Sequence, residues 1–145
     1  MGNIKTFDRI HRINRITAEM DALYHQAALK LNLSDSSMFI LYTIYEKGGR
    51  CPLNEINNSG ICKQTINSAI RRLEAEGILY LEPLKGKSKI AVLTEKGEAF
   101  SMQTAARLLD AEEQAFGSWT EDEINAFIEL NKKYLDCFKE QIEKI

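Results

Sequence analysis

Wound as a helix at roughly 100° per residue, the stretch from Lys63 to Glu76 puts Ile66, Ala69, Ile70 and Leu73 on one side and Gln64, Thr65, Asn67, Ser68, Arg71 and Arg72 on the other. Amides, hydroxyls and guanidinium groups are the side chains that bond base edges and phosphate oxygens. Only two of these six are charged, whereas an ordinary solvated helix face is dominated by Glu and Lys. The set therefore reads as a DNA-recognition face. Gln64, Asn67 and Ser68 suit base edges in a major groove, Arg71 and Arg72 reach phosphate or guanine, and Lys63 lies over the backbone. Downstream, Lys85-Gly86-Lys87-Ser88-Lys89 offers three cations for phosphate neutralisation and minor-groove contact. The same lysines also serve to solubilise an edge strand.

Catalytic patterns do not appear. The two histidines, His11 and His25, lie on one expected helix with no partner pattern, and there is no Gly-rich phosphate loop, Ser-His-Asp arrangement or metal spacing. The expectation is a non-enzyme without cofactor or metal. Cys51, Cys62 and Cys137 are odd in number and contain no Cys-x-x-Cys pair, so neither a disulfide framework nor a zinc site is expected. Cys62 opens the polar helix, where backbone amides and Lys63 are placed to lower a thiol pKa. That position admits a redox switch, and equally a small apolar residue in a packed turn.

The elements that must position these residues are legible from periodicity. Phe7, Ile10, Ile13, Ile16, Met20, Leu23, Ala27 and Leu31 step by three or four and, with Ile4, predict a long first helix. Ser34 is placed to cap a second, with Leu33 and Met38 as a staple and Gly48-Gly49 as its end. Pro52 opens a short helix over Leu53 to Asn58, and Asn58-Ser59-Gly60 turns into the polar helix, which Gly77 stops. Two helices joined by a short Gly-containing turn are a helix-turn-helix. The period then becomes two in Ile78 to Glu82 and Ile90 to Leu93, a hairpin with the lysines at its tip. Thr94 caps a fifth helix expected to run through Phe116, with Gly97 an awkward residue in its first turn. Thr120-Glu121-Asp122-Glu123 is a capping box that starts the last helix, with Trp119 and Ile124 at staple positions.

The 145 residues carry a formal charge of −2, so affinity for nucleic acid must come from local charge. Residues 61–90 hold six basic against three acidic side chains, and residues 95–145 hold six against twelve. A basic middle and an acidic C-terminal third suit different partners. No apolar run is long enough for a membrane span, and the first residues lack a secretory stretch, so the expected location is cytoplasmic, away from membranes. Met1-Gly2 with Thr6 formally matches a myristoylation signal, a pattern short enough to recur by chance.

The order of elements resembles the MarR family of winged helix-turn-helix regulators over nearly the whole chain. The stretches that carry the resemblance are KQTINSAIRRLEAEGIL, Lys63 to Leu79, and LTEKGEAF, Leu93 to Phe100. The resemblance implies a mainly α fold with a small β-hairpin. Residues 33–94 would form the winged DNA-binding region, and 1–32 with 95–145 a helical dimerisation region. It further implies a cytoplasmic homodimer whose terminal helices interleave and whose winged regions each read half of a pseudo-palindromic operator in double-stranded DNA. The apolar side chains from Ile124 to Ile145 agree with a covered last helix. One departure concerns the wing tip, where many members carry Asp-x-Arg and this chain has Lys-Gly-Lys-Ser-Lys. Lysine is a less directional donor than arginine there. Members often bind a small phenolic or lipophilic effector, for which Tyr24, His25, Tyr42 and Tyr45 are the polar aromatic candidates, although such residues at helical spacing also read as core. With no segment resembling a dedicated polymerase contact, repression by occluding a promoter is the expected mode. The rival reading is a winged-helix module that binds a protein through its acidic C-terminal third.

Overall fold

The structure is a computed structural model that describes residues 4–145, with side chains from Phe7 onward. The Met1-Gly2 and Thr6 pattern and the Ile4 side chain lie outside the described residues. Two compact units are present, one ending at Leu109 and the other running from Asp110 to Ile145.

In the first unit, α1 (Ile4–Lys30) leads through Asn32, at φ 57°, into α2 (Asp35–Glu46). Ser34 caps α2 as its sequence position suggests, its hydroxyl accepting the Ser37 amide at 3.1 Å. There follow β1 (Arg50–Pro52), α3 (Leu53–Asn57), α4 (Lys63–Ala75), β2 (Leu79–Pro83), β3 (Lys89–Leu93), α5 (Glu95–Gln103) and α6 (Ala105–Ala115), which runs across the unit boundary. In the second unit, α7 (Glu121–Ile142) begins with the expected capping box. Thr120 Oγ1 accepts the Glu123 amide at 3.1 Å and Glu123 Oε1 accepts the Thr120 amide at 3.0 Å. Trp119 packs edge-on against Phe116 and Phe127, with centroids 4.9 and 5.6 Å away.

The core of the first unit gathers Ile40, Leu41 and Ile44 of α2, Ile56 of α3 and Ile66, Ile70 and Leu73 of α4, roofed by Leu79, Ala91 and Leu93 of the sheet. All four apolar positions of α4 are buried, and each large one contributes about 1.5–3 kcal/mol on leaving water. That burial fixes the rotation of α4 and leaves its polar side outward.

Two differences from the sequence reading have physical causes. The hairpin gains a third strand: the sheet order is β1-β3-β2, all antiparallel, with Cys51 opposite Ala91. A three-residue strand ending in proline has too little alternation to be read from sequence. The helix expected from Thr94 to Phe116 is broken at Thr104, whose backbone sits at φ −125° and ψ −84° and whose hydroxyl donates to the Phe100 carbonyl at 2.8 Å. Such a threonine bond to the preceding turn competes with the helical pattern.

Gly97 proves to be a packing requirement. A Cβ built there would fall 1.8 Å from the Ile78 carbonyl oxygen, because the first turn of α5 rests on that backbone. Helix propensity alone favours alanine over glycine by about 1 kcal/mol, so the sign of the effect is diagnostic. Gly97→Ala is expected to lower the unfolding free energy by about 1–3 kcal/mol in urea denaturation. A variant more stable than the parent would contradict the seating of α5 on Ile78.

Candidate nucleic-acid interface

Cys62 occupies the cap position of α4, and Ile66, the first buried residue of the helix, donates to its carbonyl at 3.1 Å. From this start the helix presents Lys63, Gln64, Thr65, Ser68, Arg71 and Arg72 to solvent, with Asn67 partly buried beside them. The first acid, Glu74, comes only in the last turn. Gly77, at φ 75°, closes the helix: its amide donates to Glu74 and the next amide, of Ile78, to Leu73. This is a Schellman end, for which a left-handed glycine is the favoured residue. Lys96 Nζ reaches back from α5 to the Glu76 carbonyl at 2.6 Å, so the carbonyl end of α4 is covered by a cation.

The hairpin behaves as a wing. Leu84 donates to the Ser88 carbonyl at 2.8 Å across its tip, and Lys85, Lys87 and Lys89 are all exposed. Its root is braced across the sheet by Arg50 of β1, 2.6 Å from Glu82 of β2, and the Tyr80 hydroxyl donates to the same carboxylate at 3.2 Å. The Arg50 guanidinium holds the Glu82 carboxyl below its ordinary pKa. The pair sits at the solvent surface, so it orients the wing more than it stabilises the fold.

One feature beside the candidate face leaves no periodic trace in the sequence. Ser34 and Ser36, at the start of α2, face Gln64, Thr65, Ser68 and Arg72 of α4 across a cleft of about 290 Å³. The sequence marks Ser34 as a cap, but its approach to α4 is tertiary and leaves no periodic signal. Hydroxyls at a helix start facing an arginine suit a phosphate oxygen.

The four effector candidates do not share one cleft. Tyr45 lines an open cleft between α2, β3 and α5. Tyr24 is half exposed on α1, and Tyr42 packs against the core. His25 is engaged with Asp35, its Nδ1 lying 2.9 and 3.0 Å from the two carboxylate oxygens and linking α1 to the first turn of α2. Among the described residues no group of His, Cys, Asp and Glu could hold a metal ion, and no helix is long and apolar enough to cross a membrane.

No family model matches the chain, and no curated protein matches it by sequence. Solved structures do match it in shape. A MarR family regulator from Neisseria meningitidis superposes with a TM-score of 0.77 at 18% identity, covering 99% of each chain. A MarR family transcriptional regulator from Silicibacter pomeroyi gives 0.67 at 21% identity, over 88% of this chain and 87% of that one. NadR in complex with 4-hydroxyphenylacetate gives 0.68 at 15% identity, over 84% and 89%. The chain therefore has the winged helix-turn-helix fold found in MarR family regulators.

The cysteines differ sharply in setting. Cys62 is exposed, and the Thr65 and Gln64 amides at the start of α4 hold its thiol below the ordinary pKa, whereas burial pushes the Cys51 thiol up. Because the thiolate is the nucleophile, Cys62 is expected to react with iodoacetamide first, retaining its rate as pH falls toward neutrality. Cys51 should stay unlabelled until the fold opens. Peptide mass spectrometry across a pH series checks this, and equal labelling of both would contradict it.

Proposed function

We propose that the chain is a MarR-type transcriptional regulator that binds double-stranded DNA sequence-specifically as a homodimer. The observation that carries this reading is the outer face of α4, where the exposed Gln64 amide, the partly buried Asn67, two hydroxyls and two arginines stand free of acidic residues until Glu74. The three wing lysines lie on the hairpin that follows it. Gln64, Asn67 and Ser68 are assigned to base edges, Arg71 and Arg72 to guanine or phosphate, and Lys63 with Thr65 to the backbone. Lys85, Lys87 and Lys89 are assigned to phosphates beside the adjacent minor groove. The regulator fold of the structural relatives supports the same reading.

Dimerisation is supported by apolar surface that each terminal helix leaves uncovered. On α1, Phe7, Ile10, Ile13, Ile16, Met20 and Leu23 are 44–64% exposed. On α7, Ile128, Leu130, Tyr134, Leu135, Phe138 and Ile142 are 49–65% exposed, and no residue of that helix is buried. Stripes of this extent mark protein contacts. A two-fold dimer would present two copies of α4 to a pseudo-palindromic operator. Repression by occluding a promoter is the mode proposed. Relief by a small phenolic or lipophilic effector is the accompanying proposal. It is supported by NadR's complex with 4-hydroxyphenylacetate and by a cleft of about 440 Å³ here, lined by Lys30, Phe100 and Arg107.

Fluorescence anisotropy against labelled duplexes over a salt series tests the assignment of roles. Replacing Lys85, Lys87 and Lys89 by alanine is expected to flatten the log–log salt slope by about 0.9 for each phosphate that is no longer neutralised, while sparing sequence preference. Arg71→Ala with Arg72→Ala is expected to weaken binding at least about tenfold with the circular dichroism unchanged. Folded variants that bind as the parent does would turn the reading toward a protein-binding winged helix.

A further inference from the structure

The cleft that Tyr45 lines has a volume of about 720 Å³, within the range of small-molecule sites. Its apolar surface comes from Leu93, Ala99, Met102 and Leu109, and the Tyr45 hydroxyl donates to the Met102 sulfur at 3.6 Å. Three carboxylates, of Glu46, Glu95 and Glu98, complete the lining, and no lysine or arginine is among the residues that form it.

No salt bridge closes on these carboxylates among the described residues, although Lys47 lies in the field of Glu46. The cations nearest in sequence are committed elsewhere: Lys47 lies 2.6 Å from Glu55, Arg50 pairs with Glu82, and Lys96 donates to the Glu76 carbonyl. Among the described residues the side-chain carboxylates of Glu46, Glu95 and Glu98 accept no hydrogen bond and form no salt bridge. Glu95 and Glu98 complement the positive end of α5, but Glu46 ends α2, where the helix dipole disfavours an anion. On the other side of Met102, which lines both, the 440 Å³ cleft carries Lys30 and Arg107 and no carboxylate. The two neighbouring clefts thus have opposite charge.

An apolar wall rewards a hydrophobic body, three unpaired carboxylates reward a positive charge, and an aromatic ring beside a thioether suits a soft organic cation. We propose that this cleft binds a lipophilic organic cation, an ammonium or phosphonium on an apolar frame. This ligand class lies outside the phenolic effectors of the preceding reading, and its binding does not depend on DNA.

The test is calorimetric titration of the full chain with tetraphenylphosphonium, and with tetraphenylborate as the same shape bearing the opposite charge. One phosphonium per chain is expected. Glu46→Gln, Glu95→Gln and Glu98→Gln together should weaken it by about tenfold or more and should not weaken tetraphenylborate. Ala99→Phe, which fills the cleft and leaves the carboxylates in place, should also remove phosphonium binding and stands in should the triple variant fail to fold. Absence of phosphonium binding, or binding that survives these changes in folded protein, overturns the proposal. No duplex enters the readout, so either failure leaves the DNA reading standing.

Discussion

Two backbone carbonyls just beyond α4, those of Gly77 and Ile78, are held by Thr94, and that hold ties the end of α4 to the wing and to α5. The Thr94 amide donates to Ile78 at 3.0 Å, its hydroxyl donates to Gly77, and its oxygen accepts the Gly97 amide at 3.0 Å as the cap of α5. One residue thus joins the end of the polar helix, the last strand of the wing and the first turn of the next helix. Gly97 follows from it, since the turn that Thr94 caps has only backbone beneath it.

Around that joint, hydrophobic burial and local charge divide the work. The buried side of α4 sets its rotation, so its polar side faces outward without any polar group having to be desolvated first. Charge then accumulates where the fold leaves it exposed. A chain of net charge −2 places six of its 19 basic residues on α4 and the wing tip, while the carboxylates of Glu46, Glu95 and Glu98 collect in a separate cleft. Separate surfaces with opposite fields suit separate partners.

Elements with a strong period or a cap were legible in the sequence. The stripe of α1, the Ser34 and Thr120 caps, the glycine stop at Gly77 and the two faces of α4 all follow from spacing and residue type. What depended on the meeting of distant segments was not. Strand β1 exists because β3 offers Ala91 and Val92 to Cys51 and Arg50, the break at Thr104 shows only in its backbone angles, and Gly97 looked like a weak helix residue until Ile78 was seen beneath it. At the candidate interface the exposure of the α4 face and of the wing lysines was readable, while the approach of Ser34 and Ser36 to Arg72 was not. The effector candidates illustrate the same limit. Four polar aromatic side chains on two helices gave no sign that His25 would bond Asp35 while Tyr45 turned to a cleft.

In the proposed function two copies of α4 read one symmetric site. Selection from a random-sequence duplex pool at about 150 mM salt, with excess competitor DNA, followed by sedimentation of the enriched complex, measures it directly. Inverted half-sites with centres about 10–10.5 base pairs apart, or a multiple of that, bound by two chains per duplex, are expected. A pool that stays unenriched above competitor, or one chain bound to an asymmetric site, would contradict it.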